Sequence, residues 1–167
     1  MSVKHTVGVT NKTNNPLYTI GKDIRIVECE FNVVASGAAN GDQYILAGGL
    51  PLETRVKALM AKNGTPAITG ATDNDVGFFK MVNGSLVELD KDVLINGYSL
   101  ASAKTTRDIL YDATPALDRT KNIREILGLD DDVNIVGGVY LVLTMNAKPT
   151  TDKVLRLDVE LENATTN

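Results

Sequence analysis

Hydrophobic and polar residues alternate most regularly in two segments of the chain, residues 27–33 and residues 155–161. The alternating sets are Val27, Cys29, Phe31 and Val33 in the first segment and Leu155, Leu157, Val159 and Leu161 in the second. Because successive side chains of a β-strand point to opposite faces, each segment is predicted to form a strand with one buried face and one solvated face.

Four Asn-Gly pairs punctuate the sequence, at residues 40–41, 63–64, 83–84 and 96–97. Asn and Gly both tolerate positive φ, so the pair fits the two-residue turn that joins antiparallel strands. The third pair separates the apolar runs 76–82 and 85–89, which predicts a hairpin. Together the pairs favour an antiparallel, all-β body.

Shorter apolar runs predict further strands. Tyr44-Ile45-Leu46 is expected to form a strand that the segment Gly48-Gly49-Leu50-Pro51 breaks, and residues 93–95 are expected to form another. The nearly continuous apolar run at residues 139–145 is typical of a central strand that is covered on both sides.

Residues 52–62 allow two interpretations. Their Ala, Leu, Met and Lys residues are good helix formers. The period of two in Val56, Ala58 and Met60 instead favours a strand that points these three side chains inward. The strand is preferred because Asn63-Gly64 would end it.

The pattern changes between Leu100 and Leu129, where one or two short helices are expected. Thr105 is a candidate cap for the first helix, and Asp118 or Thr120 is a candidate start of the second. Ile123, Ile126 and Leu127 share one helical face, and Gly128 is expected to end that helix. This face should cover the end of the sandwich or meet a neighbouring subunit, so Ile123 and Ile126 are candidate interface residues.

About eight to ten short strands and one helical excursion predict a mainly β fold, an antiparallel two-sheet β-sandwich that is jelly-roll-like. Its single domain is expected to span residues 17–162, with the helical insertion near residues 100–129 and a flexible tail at 163–167. Residues 1–16 are predicted to form an extended arm or edge strand, and a disordered tail is the alternative. Val3, Val7 and Val9 alternate there, which makes them candidate interface residues for strand addition to a partner's sheet.

Composition and charge narrow the class of protein. The 167 residues carry a formal net charge of −4, which provides no basic surface for nucleic acid. Residues 1–15 lack the apolar region of a secretory signal, and the nearly apolar stretch 135–143 is too short to cross a bilayer as a helix. The lone cysteine excludes an internal disulfide. We therefore expect synthesis in a cytoplasm and no direct nucleic-acid or membrane partner.

The residue pattern favours no catalytic, metal or cofactor site. His5, the only histidine, lies in the arm, which cannot hold a base with the precision that catalysis needs. Cys29 lies on a buried strand face, where a thiol is usually inert. Asp73-Asn74-Asp75 lacks the spacing of an EF-hand calcium loop, and Gly48-Gly49 lacks the residues of a phosphate loop. The acidic turn at residues 130–132 is expected to be solvated.

Several segments resemble virion structural proteins of tailed bacteriophages, especially small head decoration (cement) proteins with a β-sandwich or jelly-roll fold. The strand Tyr44-Ile45-Leu46 runs into the step Leu50-Pro51-Leu52-Glu53-Thr54-Arg55-Val56, which opens the next strand. The segments that follow and also fit are residues 68–75, 76–82, 137–144 and 154–161. The likeness covers residues 22 to 162 at the level of pattern, and the helical insertion has no counterpart in it.

The resemblance implies a non-enzymatic protein without cofactors that binds the major capsid protein or other virion subunits. It also implies a homo-oligomer, with a trimer favoured, on the capsid surface after synthesis in the host cytoplasm. A receptor- or glycan-binding fibre or spike module is the alternative, although the chain has no Trp and few aromatic residues for stacking on sugars. A small hydrolase on a β scaffold is the third possibility.

Overall fold

The computed structural model describes residues 23–62, 67–102, 107–114 and 119–163. In this part of the chain there are eight strands, β1 (Asp23–Val33), β2 (Asp42–Leu50), β3 (Thr54–Ala61), β4 (Asn74–Val82), β5 (Ser85–Ile95), β6 (Arg107–Asp108), β7 (Val139–Met145) and β8 (Lys153–Asn163). Two short helices, α1 (Ile109–Ala113) and α2 (Ile123–Ile126), lie between β6 and β7. A single 3₁₀ turn follows β1 at Ala35–Gly37.

The strands form two four-stranded antiparallel sheets, ordered β1-β8-β3-β6 and β2-β7-β4-β5. Strand β1 pairs with β8, β2 with β7, β3 with β6 and β4 with β5, so the chain behaves as one long hairpin that is folded over into two layers. This order is that of the eight-stranded jelly roll. The prediction of a two-sheet β-sandwich with a short helical insertion is confirmed.

The core lies between the inner faces of the two sheets. All eight alternating residues of the first and last strands are buried there, as their periodicity predicts. Strands β1 and β8 pair in unbroken register from Asp23 opposite Asn163 to Val33 opposite Lys153. Across the core, the Phe31 ring meets the Tyr44 ring edge-on, with 5.4 Å between centroids. Strand β7 is buried along almost its whole length, which confirms the prediction of a central strand.

Strand β3 forms where the alternation predicts it, but its inward set differs. The pairing with β8 shifts register between Val56 and Ala58, which inserts one extra residue. A bulge of this kind exchanges the two faces of the strand beyond it. Consequently Leu59 and Ala61 join the core cluster, and the prediction that Met60 faces inward is wrong.

Strand β2 continues through Gly48-Gly49 and ends at Leu50, so it is longer than predicted but stops within the predicted break, immediately before Pro51. The pairing with β7 shifts twice, between Ile45 and Ala47 and between Ala47 and Leu50. The irregular pairing accommodates the glycines inside the strand.

Strands β4 and β5 form the predicted hairpin. Val82 pairs with Ser85, and the two turn residues have positive φ, 50° at Asn83 and 80° at Gly84. Strand β5 then runs on to Ile95, so the separate strand predicted at residues 93–95 is its last part. The other described Asn-Gly pairs, at residues 40–41 and 96–97, lie beside strands without joining two paired ones, and the pair at 63–64 lies outside the described residues.

A large bulge bends β5 over its neighbour. Val76 pairs with Ile95 but Phe78 pairs with Asp90, so the intervening residues of β5 leave the sheet plane. The backbone of Asp90 and Lys91 lies directly over Gly77, at the place that a Cβ would occupy. Gly77 is therefore required by close backbone approach rather than by an unusual φ.

The helices cover the core near β3 and start later than predicted. The N-caps are Asp108, which accepts from the backbone of Leu110 and Tyr111, and Asn122, which forms a capping box with Glu125. Ile123 is buried, and Ile126 and Leu127 are partly buried against the core, which confirms their shared face. Gly128, at φ 63°, follows the end of α2 as expected.

Candidate functional site at the edges of the sandwich

Oppositely charged side chains cover the outer face of the β1-β8-β3-β6 sheet. Glu162 accepts ion pairs from Arg55 at 3.1 Å and from Lys57 at 3.3 Å. Lys62 bridges Asp158 at 3.1 Å and Glu28 at 3.4 Å. Arg156 pairs with Glu30 at 2.9 Å. Most of these pairs are partly exposed, so each adds little stability, but the face presents balanced rather than net charge.

Apolar side chains interrupt this face at one end of β1. Ile24 and Ile26 are 39% and 52% exposed and point outward, opposite the inward set of the same strand. They lie next to Glu162 and Glu160 of β8 in the sheet. We call Ile24 and Ile26 the β1 patch.

The free edge of β3 is closed by side chains. Strand β6 pairs only with Met60 and Ala61. Beyond it, Asp108 Oδ1 accepts from the backbone N–H of Leu59 at 3.3 Å, and Arg119 Nη1 donates to the carbonyl of Lys57 at 2.8 Å. Asp108 and Arg119 therefore hydrogen-bond to a main-chain N–H and a main-chain carbonyl that an added strand would need.

The thiol of Cys29 joins the two sheets on the opposite side of the sandwich. Its Sγ lies 3.1 Å from the carbonyl oxygen of Leu46, so β1 of one sheet contacts β2 of the other. Burial, together with the nearby carboxylate of Asp158, raises the pKa of Cys29 to about 12. The group is a neutral hydrogen-bond donor near neutral pH and not a nucleophile.

A buried carboxylate holds the bulge of β5 in place. Asp75 accepts from Asn146 Nδ2 at 2.6 Å, from the backbone N–H of Gly97 at 3.0 Å, and from Lys91 Nζ at 3.2 Å. Burial would raise the pKa of Asp75, but these hydrogen bonds and the Lys91 charge outweigh it and hold the pKa below its usual value. In this network Lys91 forms its ion pair with Asp75.

Three further carboxylates, those of Glu88, Asp90 and Asp92, line the same strand. Within the described ranges, no lysine or arginine nitrogen lies within 4.0 Å of them, and Lys91 is committed to Asp75. Burial and the carboxylates of Asp90 and Asp75 raise the pKa of Asp92. Strand β5 therefore has unbalanced negative charge, in contrast to the balanced face of the other sheet.

A cavity of about 140 Å³ lies between the β2–β3 turn and the loop before β7. Pro51, Glu53, Arg124 and Ile135 are among the residues that line it. The Arg124 guanidinium is engaged by Glu53 at 3.2 Å and by the carbonyls of Asp130 and Val133. Arg124 thereby links the loop before β7 to the β2–β3 turn and stabilises the fold at this end of the sandwich.

The candidate interface residues of the sequence lie partly outside and partly inside the described ranges. Val3, Val7 and Val9, like His5, lie outside the described residues. Ile123 is fully buried and Ile126 is partly buried, and both pack against the core. Of the two roles foreseen for this face, covering the core is the one that these contacts show, and a subunit interface at Ile126 stays a prediction.

Among the residues that the structure describes, no group of three or more His, Cys, Asp or Glu side chains comes close enough to hold a metal ion. None of the described helices is long and apolar enough to span a membrane. Comparison of the chain with protein-family models, with curated proteins and with solved structures finds no match.

The sequence interpretation missed the Asp75 network and the closed edge of β3. The local sequence offers Asp75 only as one of the oxygen donors of residues 73–75, whereas Lys91 and Asn146, which bind its carboxylate, lie in β5 and after β7. The pairing of Asp108 with Arg119 likewise depends on how the helical segment folds back on β3. The one local signal was Gly77, a glycine inside an apolar run, which is typical of a bulge or a close backbone approach.

Proposed function

We propose that this chain is a non-enzymatic structural protein of a tailed-phage virion, a capsid decoration protein that binds and stabilises the head through protein–protein contacts. The observation that carries the proposal is the strand order β1-β8-β3-β6 and β2-β7-β4-β5. Eight-stranded jelly rolls occur in viral capsid proteins as well as in lectins and cupins, and the capsid role is assigned by analogy of fold.

The chemistry of the described residues supports a binding role. The only thiol is a buried hydrogen-bond donor, and the buried carboxylate of Asp75 is engaged by three donors. The cavity near Arg124 is occupied at its charged end by an internal ion pair. These groups stabilise the sandwich, and the surface features that remain are edges and patches suited to protein contact.

The β1 patch is the surface we assign to the capsid contact. It places two partly exposed isoleucines side by side on a sheet face that also carries the ion pairs of Lys62 and Arg156. An apolar patch with a polar rim is the usual composition of a protein interface. The contact is therefore expected to be apolar at its centre and only weakly dependent on salt.

Copy number in purified particles tests the proposal. Gradient-purified virions of the phage that encodes the chain should contain it in numbers comparable to the capsid subunits, as measured by quantitative mass spectrometry. A few copies per particle would instead favour the fibre or spike alternative. Absence from particles would overturn the proposal.

Binding to particles that lack the protein tests the assigned surface. The variant Ile26→Asp should bind such particles more weakly than the unaltered protein, because it places a charge in the centre of the patch. Val136→Asp is the control, since Val136 is 89% exposed and belongs to the loop before β7 rather than to β1. Equal binding by both variants would show that the capsid contact lies on another surface.

A further inference from the structure

Strand β5 has a sheet neighbour on one side only. It pairs with β4, and no described strand pairs with its other side. Near its end, Thr114 Oγ1 donates to the carbonyl of Leu94 at 2.6 Å, so the segment after α1 covers that part of the edge. The first part, from Ser85 to Asp90, has no such cover among the described residues. An edge of this kind offers main-chain N–H and C=O groups to another strand.

The tip of the β4–β5 hairpin projects beyond the rest of its sheet. Strand β7 accompanies β4 only as far as Lys80, opposite Val139, and Ser85 and Leu86 of β5 lie past that point. Val87 is 40% exposed and lies opposite Lys80, on the face that continues from inward-facing Phe78. Glu88 lies opposite Phe79 on the other face, which it shares with Leu86. An added strand would therefore match this edge with an apolar residue beside Val87 and a positive residue beside Glu88.

One segment of the chain has this composition. Residues 1–22 contain three lysines and no acidic residue, whereas the whole chain carries a net charge of −4. Val3, Val7 and Val9 occupy odd positions and Lys4 an even position, so an extended conformation separates the valines from the lysine by face. The segment matches the β5 edge in both apolar pattern and charge.

We propose that residues 2–10 of a second copy of this chain add as a strand to the free edge of β5 between Ser85 and Asp90. The valines then extend the apolar face beside Val87, and Lys4 lies on the same face as Glu88. Main-chain hydrogen bonds supply the attachment, as in other cases of strand addition. This interface is independent of the β1 patch and of the proposed virion function.

Two other occupants of the edge are separated from this one by charge and by experiment. The β5 strand of a second copy would bring the carboxylates of Glu88 and Asp90 against their equivalents, and like charges on adjacent strands are destabilising. The same chain's own residues 2–10 would have to reach β5 from Asp23 of β1. The contact of Cys29 with Leu46 places β1 beside β2, at the edge of the sandwich away from β5, about 15 Å across the sheet at the usual strand spacing. Residues 11–22 are long enough to cross this distance when extended, so folding back within one copy is the competing outcome of the crosslinking experiment.

A charge-exchange experiment tests the interface. The molar mass and self-association of the full chain are measured by light scattering and analytical ultracentrifugation. The full chain should form an oligomer, and deletion of residues 2–15 should give a folded monomer with an unchanged circular dichroism spectrum. Lys4→Glu and Glu88→Lys should each raise the dissociation constant about tenfold, and their combination should restore association.

Matched controls separate this pairing from a general effect of charge. Lys121→Glu and Asp131→Lys change exposed residues away from β5 by the same charges and should leave association unchanged. Raised salt should weaken association of the full chain, because the complementary charges are exposed. If Lys4→Glu and Glu88→Lys do not weaken association, or if their combination does not restore it, the proposal is overturned.

Disulfide trapping distinguishes exchange between copies from folding back within one copy. In a Cys29→Ser background, a chain with Val7→Cys is mixed with a differently sized chain carrying Val87→Cys and is oxidised. A crosslink between the two chains should form, whereas Val7→Cys mixed with Val136→Cys should give none. A doubly substituted chain that closes only within itself would refute the second copy as occupant. A monomeric full chain that loses particle binding on Glu88→Lys would instead assign the edge to a capsid-protein strand.

Discussion

Asp108 Oδ2 and Arg119 Nη1 lie 2.6 Å apart, and this ion pair runs along the edge of β3 where another strand could otherwise add. The same two side chains bond to the backbone of Leu59 and Lys57. Asp108 also caps α1. One carboxylate thus closes a sheet edge and starts a helix, while the part of the β5 edge from Ser85 to Asp90 has no equivalent among the described residues.

Replacing Asp108 should therefore destabilise the fold through both contacts. Asp108→Ala removes the acceptor of the α1 cap and leaves the N–H of Leu59 without its partner, and we expect a loss of about 1–2 kcal/mol in the free energy of unfolding. The loss in the free energy of unfolding is measured by urea denaturation. Asp131→Ala, in an exposed turn, is the control and should change stability by less than about 0.5 kcal/mol. An equal effect of both substitutions would show that the edge contacts contribute nothing.

The core position of Phe31 predicts a large effect of truncation. Its side chain has no exposed surface and packs against Tyr44, so Phe31→Ala should cost about 3–5 kcal/mol. Ile26→Ala, on the outer face of the same strand, should cost far less. Chemical denaturation of both variants gives the comparison, and a loss below about 1 kcal/mol for Phe31→Ala would mean that the core is assigned to the wrong face.

Alanine should destabilise the protein at Gly77 and at Gly84, for different reasons and to different extents. At Gly77 the backbone of Asp90 and Lys91 occupies the place of a Cβ, so Gly77→Ala must displace the bulge and should cost about 1–3 kcal/mol. At Gly84 no atom lies within 4 Å but φ is +80°, so Gly84→Ala should cost about 1 kcal/mol. Thermal unfolding measures the loss of stability in both variants. A larger loss for Gly84→Ala than for Gly77→Ala would contradict the close backbone approach at Gly77.

Acid should weaken the Asp75 network. The pKa of Asp75 is lowered in the folded state from its ordinary value of 3.8, so the unfolded state binds more protons near that pH. The stability from this group is fully present above the ordinary pKa and is lost as pH falls through the folded one. Asp75→Asn should therefore be less stable than the unaltered protein at pH 7, and the difference should shrink below about pH 4. A constant difference across this range in urea titrations would refute the assignment.

Cys29 should be unreactive in the folded protein. With its pKa raised to about 12 by burial, the thiol has a negligible thiolate fraction at pH 8. An aromatic disulfide reagent should label it only as fast as the protein unfolds, and at once in denaturant. Ser36→Cys, at an exposed position, is the control and should react immediately. Rapid labelling of Cys29 without denaturant would contradict its placement in the core.

Local pattern predicted those elements whose environment is uniform along their length. Strands β1 and β8 each keep one face in the core without interruption, so strict alternation identified their inward residues correctly. Met60 was assigned to the wrong face because a single bulge after Val56 exchanges the two faces of β3. Such a shift depends on pairing with β8, which is distant in sequence.

The candidate interaction edge could not be predicted from the sequence for a related reason. The residues of β5 reveal a strand, but whether that strand lies at the edge depends on the order of all the others. The negative charge of Glu88 becomes informative only because Lys91 turns toward Asp75 in the neighbouring strand. Charge near a residue in sequence is thus a poor guide to charge near it in the sheet.

The pairing of β1 with β8 also constrains the order in which the protein can fold. Strand β8 is the last described strand to be synthesised, yet it lies between β1 and β3 in its sheet. Until β8 emerges from the ribosome, β1 and β3 have no strand to join them, whereas the β4–β5 hairpin can form from local contacts. Contacts so distant in sequence slow folding through the entropy of loop closure. A truncation that removes β8 would take away the centre of a sheet rather than its margin, and the nascent chain must keep its first strand available until translation has passed Asn163.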